Sequence, residues 1–195
     1  MNENNKKNFI LDLDETLISA EATEEYDFVK HEKKAKKFKF ETMEDYYIIF
    51  QRPHLQEFLD FIFENFNVSI WTAASKDYAL FIIDKIILTN PNRKIDYIFF
   101  SYHCTLSRKI KKGKSKDLSM MWDFFKIKGY SKENTVIFDD YDEVYNTQKE
   151  NCIIAHPFKF TESNSEKDKF LKKIIPKIKK HLLKNKNINT QNINL

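Results

Sequence analysis

The chain has 195 residues, 42% hydrophobic and 15% aromatic with 18 Phe, which suits one domain with a proper core and is short for two. No apolar run reaches the roughly 20 residues that cross a bilayer, and residues 1–8 are polar, without the apolar stretch of a secretory signal. A net charge of +4 is too mild to argue for nucleic acid, and Cys104 and Cys152 are too far apart in sequence for a metal-binding pair or a disulfide framework, so a reducing compartment, cytosol or nucleus, is expected.

In chain order, Phe9-Ile10-Leu11 is the first apolar run of strand length. Residues 19–50 do not fit the alternation that follows and are expected to form an inserted β-hairpin or small cap carrying Tyr26, Phe28, Phe38 and Phe40, with a strand at 46–50. The lysines of 30–37, like those of 108–116 and 172–186, read as solvated faces. Helical spacing of Leu55, Phe58, Leu59, Ile62, Phe63 and Phe66 predicts a helix over 54–66, with Pro53 suited to its first turn. A strand at 68–71, a helix at 77–88 and a strand at 95–100 come next. A helix over 117–126 buries Leu118, Met121, Trp122 and Phe125, and strands follow at 135–138 and 152–155. The last helix, 165–183, is kinked or broken at Pro176. Residues 185–195 have too few apolar side chains to pack and are expected to be disordered, leaving 1–184 as a single domain.

Strands alternating with helices predict an α/β fold, a three-layer Rossmann-like parallel sheet with a short β insertion after the first strand. Ligands bind such sheets beyond the carboxyl ends of the strands, so the polar residues following each apolar run matter most. These are Asp12 and Asp14 after the first strand, Thr72 after 68–71, and Asp139 and Asp140 after 135–138. Lys116, just before a helix, is placed to reach the same crevice, although Lys109, Lys111, Lys112 and Lys114 lie close by. Clustered carboxylates need a cation, and oxygen ligands suit Mg²⁺. With a hydroxyl and an ammonium, the set suits phosphoryl transfer, one aspartate attacking phosphorus and another moving the proton.

These residues resemble the haloacid dehalogenase superfamily, whose first motif is Asp-x-Asp-x-Thr/Val at the end of the first strand. More closely, the chain is similar to the small C-terminal-domain phosphatases of RNA polymerase II, in Asp12-Leu13-Asp14-Glu15-Thr16-Leu17. The likeness continues through Arg52-Pro53-His54 and Glu57-Phe58-Leu59, then Trp71-Thr72-Ala73 with Tyr78 six residues after the threonine. Lys116-Asp117-Leu118-Ser119 and Phe138-Asp139-Asp140 complete it, so that it spans nearly all of the chain except the tail. The resemblance implies a nucleophile and metal ligand in Asp12, and a general acid and base in Asp14 that binds metal through its backbone carbonyl. It implies that Thr72 and Lys116 hold the phosphoryl group, that Asp140 completes the Mg²⁺ ligands, that Asp139 supports Lys116 or a metal-bound water, and that Tyr78 lines a phosphopeptide pocket.

Two positions depart from that pattern. Ser101 stands where the polymerase-tail phosphatases carry an arginine before a cysteine, here Cys104, and Ala22 replaces an aromatic about ten residues after the nucleophile. The implied chemistry is thus retained while specificity need not carry over. The expected activity is a Mg²⁺-dependent protein serine/threonine phosphatase. The alternatives are a phosphatase of nucleotides or nucleic-acid ends, which the lysines of 30–37 would help to hold, and a phosphopeptide-binding module on an inert fold. No membrane partner is expected.

Overall fold

In this computed structural model the described residues are 6–185 and 187–193. Five parallel strands form the central sheet: β1 (Asn8–Leu11), β5 (Asn67–Trp71), β6 (Ile95–Phe99), β7 (Thr135–Asp139) and β8 (Cys152–Ile154), in the order β6-β5-β1-β7-β8. The chain therefore grows outward from β1 through β5 to β6, then returns to build β7 and β8 on the other side. That reversal between β1 and β7 is a topological switch point, where a crevice opens beyond the carboxyl ends of the strands.

Every residue of β1 is buried, as a strand covered on both faces must be. Phe9 and Leu11 point to the face covered by α2 (Leu55–Asn65), α3 (Lys76–Ile82) and α6 (Phe170–Ile178). Ile10 points to the other face, against Cys104 of α4 (Ser101–Ile110), Met120 and Met121, and Val144 of α5 (Asp142–Thr147). Helices on both faces of a parallel sheet make the expected three layers.

The insertion is more than a hairpin. Strands β2 (Ile18–Ala22), β4 (Tyr47–Gln51) and β3 (Phe40–Met43) form an antiparallel sheet in the order β2-β4-β3, with helix α1 (Phe28–Ala35) between β2 and β3. The helix forms because Asp27 caps it, accepting from the Lys30 N–H at 2.9 Å, and because Glu32 and Lys36 pair one turn apart. No residue of α1 is fully buried; Tyr26, Ala35 and Phe38 hold the unit to Ile48, Phe50 and Phe160, with the rings of Phe50 and Phe160 stacked at 3.7 Å.

Other elements differ from expectation in kind or extent. Pro53 lies outside α2, whose N-cap His54 adopts the left-handed conformation (φ 66°). The helix expected over 117–126 contracts to a π-helical turn at Met120–Phe124, in which Met120 and Met121 are buried. That expected over 77–88 continues past α3 as a π-helical turn, Ile83–Ile87. Pro176 stands inside α6 without dividing it; the helix runs on into a π-helical turn at Lys179–Leu183, after a separate 3-10 turn at Ser165–Lys167. Helices α4 and α5 lack apolar periodicity: α4 buries only Cys104 and Ser107, and α5 only Val144.

The tail corrects the expected disorder for the residues described. Ile188 and Ile193 join the core, the Ile188 N–H donates to the Glu133 carbonyl, and the buried Thr190 hydroxyl lies 2.7 and 2.8 Å from the carbonyls of Lys149 and Cys152. Two isoleucines and one hydroxyl that satisfies backbone acceptors suffice to seat it. Residues 186, 194 and 195 of that expectation lie outside the described set.

Candidate active site

The first motif alternates by necessity. Leu13 and Leu17 are fully buried and anchor the turn after β1, which leaves Asp12, Asp14 and Thr16 to serve the crevice. The turn closes through the Leu17 N–H on the Leu13 carbonyl at 2.8 Å, with Glu15 in the left-handed region (φ 55°), a conformation that costs a non-glycine residue about 1–3 kcal/mol. The reversal returns the Thr16 side chain to Asp12 one helical-type turn earlier.

Asp12, only 5% exposed, is gripped on both oxygens. Its Oδ1 accepts from Lys116 Nζ at 2.6 Å, and Thr16 Oγ1 lies 3.0 Å from its Oδ2. Lys116 donates also to Asp139 Oδ2 at 2.7 Å, while Asp139 Oδ1 accepts from the Tyr141 N–H at 2.9 Å. Of the five neighbouring lysines weighed from sequence, it is thus Lys116 that is buried and reaches Asp12. Three contacts aim its loop: Ser107 of α4 accepts from the Asp117 N–H, Glu143 of α5 accepts from the Ser115 N–H and hydroxyl, and Gln148 donates to the Lys116 carbonyl at 2.8 Å.

Thr16 Oγ1 is also 2.9 Å from Asp140 Oδ1. A hydroxyl has one proton to donate, and here two carboxylates compete for it. Ligand oxygens of Asp12, Asp139 and Asp140 lie within 4.8 Å of one another. Burial pushes the carboxyls of Asp12, Asp14 and Asp140 above the ordinary aspartate range, opposed by Lys116 at Asp12, by Tyr78 at Asp14 and by Thr16 at Asp140. Burial also works against the Lys116 ammonium, but Asp12 and Asp139 outweigh it and hold the group above the ordinary lysine range. An all-oxygen donor set in which two carboxylates share one hydroxyl proton fits a hard divalent cation.

The remaining expected residues flank this cluster. Asp14 is half-buried, and its Oδ1 accepts from the Tyr78 hydroxyl at 2.6 Å. Its carboxylate is not part of the three-acid group. Leu11 lies opposite Ile70 in the sheet, so Asp12 and Thr72 leave neighbouring strands at nearly the same level. Thr72 is fully buried, with its hydroxyl accepting from the Ala74 N–H at 3.1 Å. A depression of about 400 Å³ begins at Asp14 and is lined by Ala20, Tyr47, Ala74, Ser75 and Tyr78.

Two further residues meet the site without having been given a role in it from sequence, where Arg52 reads as structural at a helix start. Thr16 carried a signal, standing four residues after Asp12 within the motif itself. Arg52 did not reveal its reach: its buried guanidinium donates to the carbonyls of Thr16 (2.9 Å) and His156 (2.8 Å), pairs with Asp168 at 3.0 Å, and lies 4.7 Å from the Phe170 ring centre. It ties the first-motif turn to the insertion and to the start of α6.

Against known proteins, residues 7–189 match the NLI interacting factor-like phosphatase family. The CTD phosphatase-like proteins 355R of Invertebrate iridescent virus 6 and Invertebrate iridescent virus 3 are 47% and 48% identical, over 90% and 88% of this chain and 99% and 95% of their own lengths. Among solved structures, the RNA polymerase II CTD phosphatase Fcp1 is similar in fold, with a TM-score of 0.53 at 19% identity over 99% of this chain, which spans 58% of that one.

Proposed function

The chain belongs to the NLI interacting factor-like phosphatases, enzymes here of haloacid dehalogenase type, and we propose on that premise that it is a Mg²⁺-dependent phosphatase of phosphoserine or phosphothreonine in proteins. The observation that carries this reading is the Asp12 carboxylate, buried between Lys116 and Thr16 at the switch-point crevice. Asp12 attacks phosphorus as the bond to the seryl or threonyl oxygen breaks, and Asp14 gives that oxygen a proton. The aspartyl-phosphate so formed on Asp12 is opened by water, whose proton returns to Asp14. Lys116 and Thr72 hold the phosphoryl oxygens, and Asp139 keeps Lys116 aimed.

The Asp12 and Asp140 carboxylates and the Asp14 carbonyl are the residues that would hold Mg²⁺. When bound, the ion supplies positive charge against the phosphoryl oxygens. The competition of two carboxylates for one Thr16 proton supports its presence.

The open depression beside Asp14 suits an extended peptide better than a small molecule, since the insertion sheet flanks the site. The lysines that favoured a nucleic-acid end are partly engaged within the protein: Lys36 with Glu32, Lys37 with Glu166, and Lys34 with the Glu162 carbonyl and the Phe160 ring. No helix among the described residues is long and apolar enough to cross a membrane. We read 1–184 as one catalytic domain, onto which residues 188–193 pack, acting in the cytosol or nucleus. A turnover screen tests the substrate class. Phosphopeptides should turn over faster than nucleotides and end-phosphorylated oligonucleotides, and the reverse order would overturn the protein-phosphatase reading.

A further inference from the structure

We infer that Tyr78 is a positioning residue, whose hydroxyl holds the Asp14 carboxyl so that one chosen oxygen faces the leaving group. This rests on the reading of Asp14 as the proton donor. Tyr78 OH lies 2.6 Å from Asp14 Oδ1, and this is the side-chain hydrogen bond that orients the carboxyl at the mouth of the depression. A carboxylic acid has one hydroxyl and one carbonyl oxygen. A phenol donating to Oδ1 makes Oδ1 the carbonyl oxygen, so the transferable proton sits on Oδ2. As the phosphorus–oxygen bond breaks, that proton passes from Oδ2 to the departing alkoxide, and the Oδ1 contact is kept throughout.

The tyrosine is itself locked in place. It stands in the first turn of α3, where Ser75 caps its N–H at 3.4 Å, and the Tyr47 ring of β4 packs edge-on against it at 5.3 Å. The insertion sheet therefore buttresses the proton donor through Tyr47 and Tyr78.

The test separates this role from simple packing, because Tyr78→Phe retains the ring and removes the hydroxyl. Steady-state rates are compared on an alkyl phosphate (phosphoserine peptide) and an aryl phosphate (p-nitrophenyl phosphate), whose leaving group needs little protonation. Tyr78→Phe should slow the alkyl substrate by roughly tenfold and the aryl substrate by less than about twofold, a fraction of the ~10²–10⁴-fold that proton transfer supplies. Added to Asp14→Asn, it should cost nothing further on either substrate, since its effect runs through that carboxyl. Tyr47→Ala, which withdraws the buttress but keeps the hydroxyl, should show the same alkyl bias more weakly.

Equal losses on both substrates, or a further loss in the Asp14→Asn background, would overturn the positioning role. Asp14→Asn measured alone distinguishes the premise: if it slows both substrates equally, the assignment of Asp14 as proton donor fails, and the role of Tyr78 falls with it.

Discussion

Among the described residues, Lys116 is the one cation paired with both buried carboxylates, 2.6 Å from Asp12 and 2.7 Å from Asp139. Replacing it with Met leaves both acids buried and facing each other, which typically costs about 3–5 kcal/mol when a buried pair loses one partner. Urea unfolding in chelator should show that loss for Lys116→Met, and Asp139→Asn in the same chain should recover part of it; additive losses would mean that the ammonium is not their shared counter-charge. Asp12→Asn makes a different prediction, because an amide cannot attack phosphorus. The variant should stay folded, lose turnover, and fail to bind beryllium fluoride, a mimic of the phosphorylated aspartate. Retained wild-type turnover would remove Asp12 as nucleophile.

At the scale of elements, the site is assembled by contacts between segments that share no local sequence logic. Arg52, at the exit of the insertion sheet, reaches the Thr16 carbonyl, the His156 carbonyl and Asp168 with one planar fork. A lysine ammonium has no such fork. Arg52→Lys should therefore lower the unfolding free energy by about 2–4 kcal/mol, since hydrogen bonds to charged groups contribute about 1.5–3 kcal/mol each. Turnover should fall as well, because the motif turn loses its tether; a lysine variant with wild-type stability would show that charge alone suffices. The tail gives a second test. Ile193 is fully buried, and truncating a buried isoleucine to alanine costs about 2–5 kcal/mol. Ile193→Ala should show a loss of that order by urea unfolding, whereas a disordered tail would show none.

At the scale of the whole molecule, the Asp12 and Asp140 carboxylates meeting at one end of the sheet couple the fold to the ion they would hold. A ligand bound only by the folded state stabilises it by RT ln(1 + [L]/Kd), about 2.7 kcal/mol at a hundredfold excess over Kd. Mg²⁺ should then raise the thermal unfolding midpoint as well as restore turnover lost to EDTA, and Asp140→Asn should weaken both effects together. Undiminished turnover in chelator would refute the metal-dependent mechanism, and activation without any thermal shift would place the ion on the substrate instead.

The motif string, its position after an apolar run and the order of the later motifs were enough to identify the parallel sheet and to place Asp12, Asp14, Asp139 and Asp140 at one edge of it, because strand-end position is local: each acid ends or closely follows the strand that delivers it. Long-range contacts decided the rest. Which lysine reaches Asp12 depended on Ser107 of α4 and Glu143 of α5, helices without apolar periodicity, and on Gln148 just after α5, which together hold the Lys116 loop. Tyr78 was expected to line the substrate pocket, and only the approach of α3 to the motif turn puts its hydroxyl on Asp14. The tail reads as too polar to pack until the sheet supplies the carbonyls of Lys149 and Cys152 that Thr190 satisfies. Periodicity records what a segment buries along its own length. Hydrogen bonds between distant segments leave no trace in it, so these roles appear only when the chain is folded.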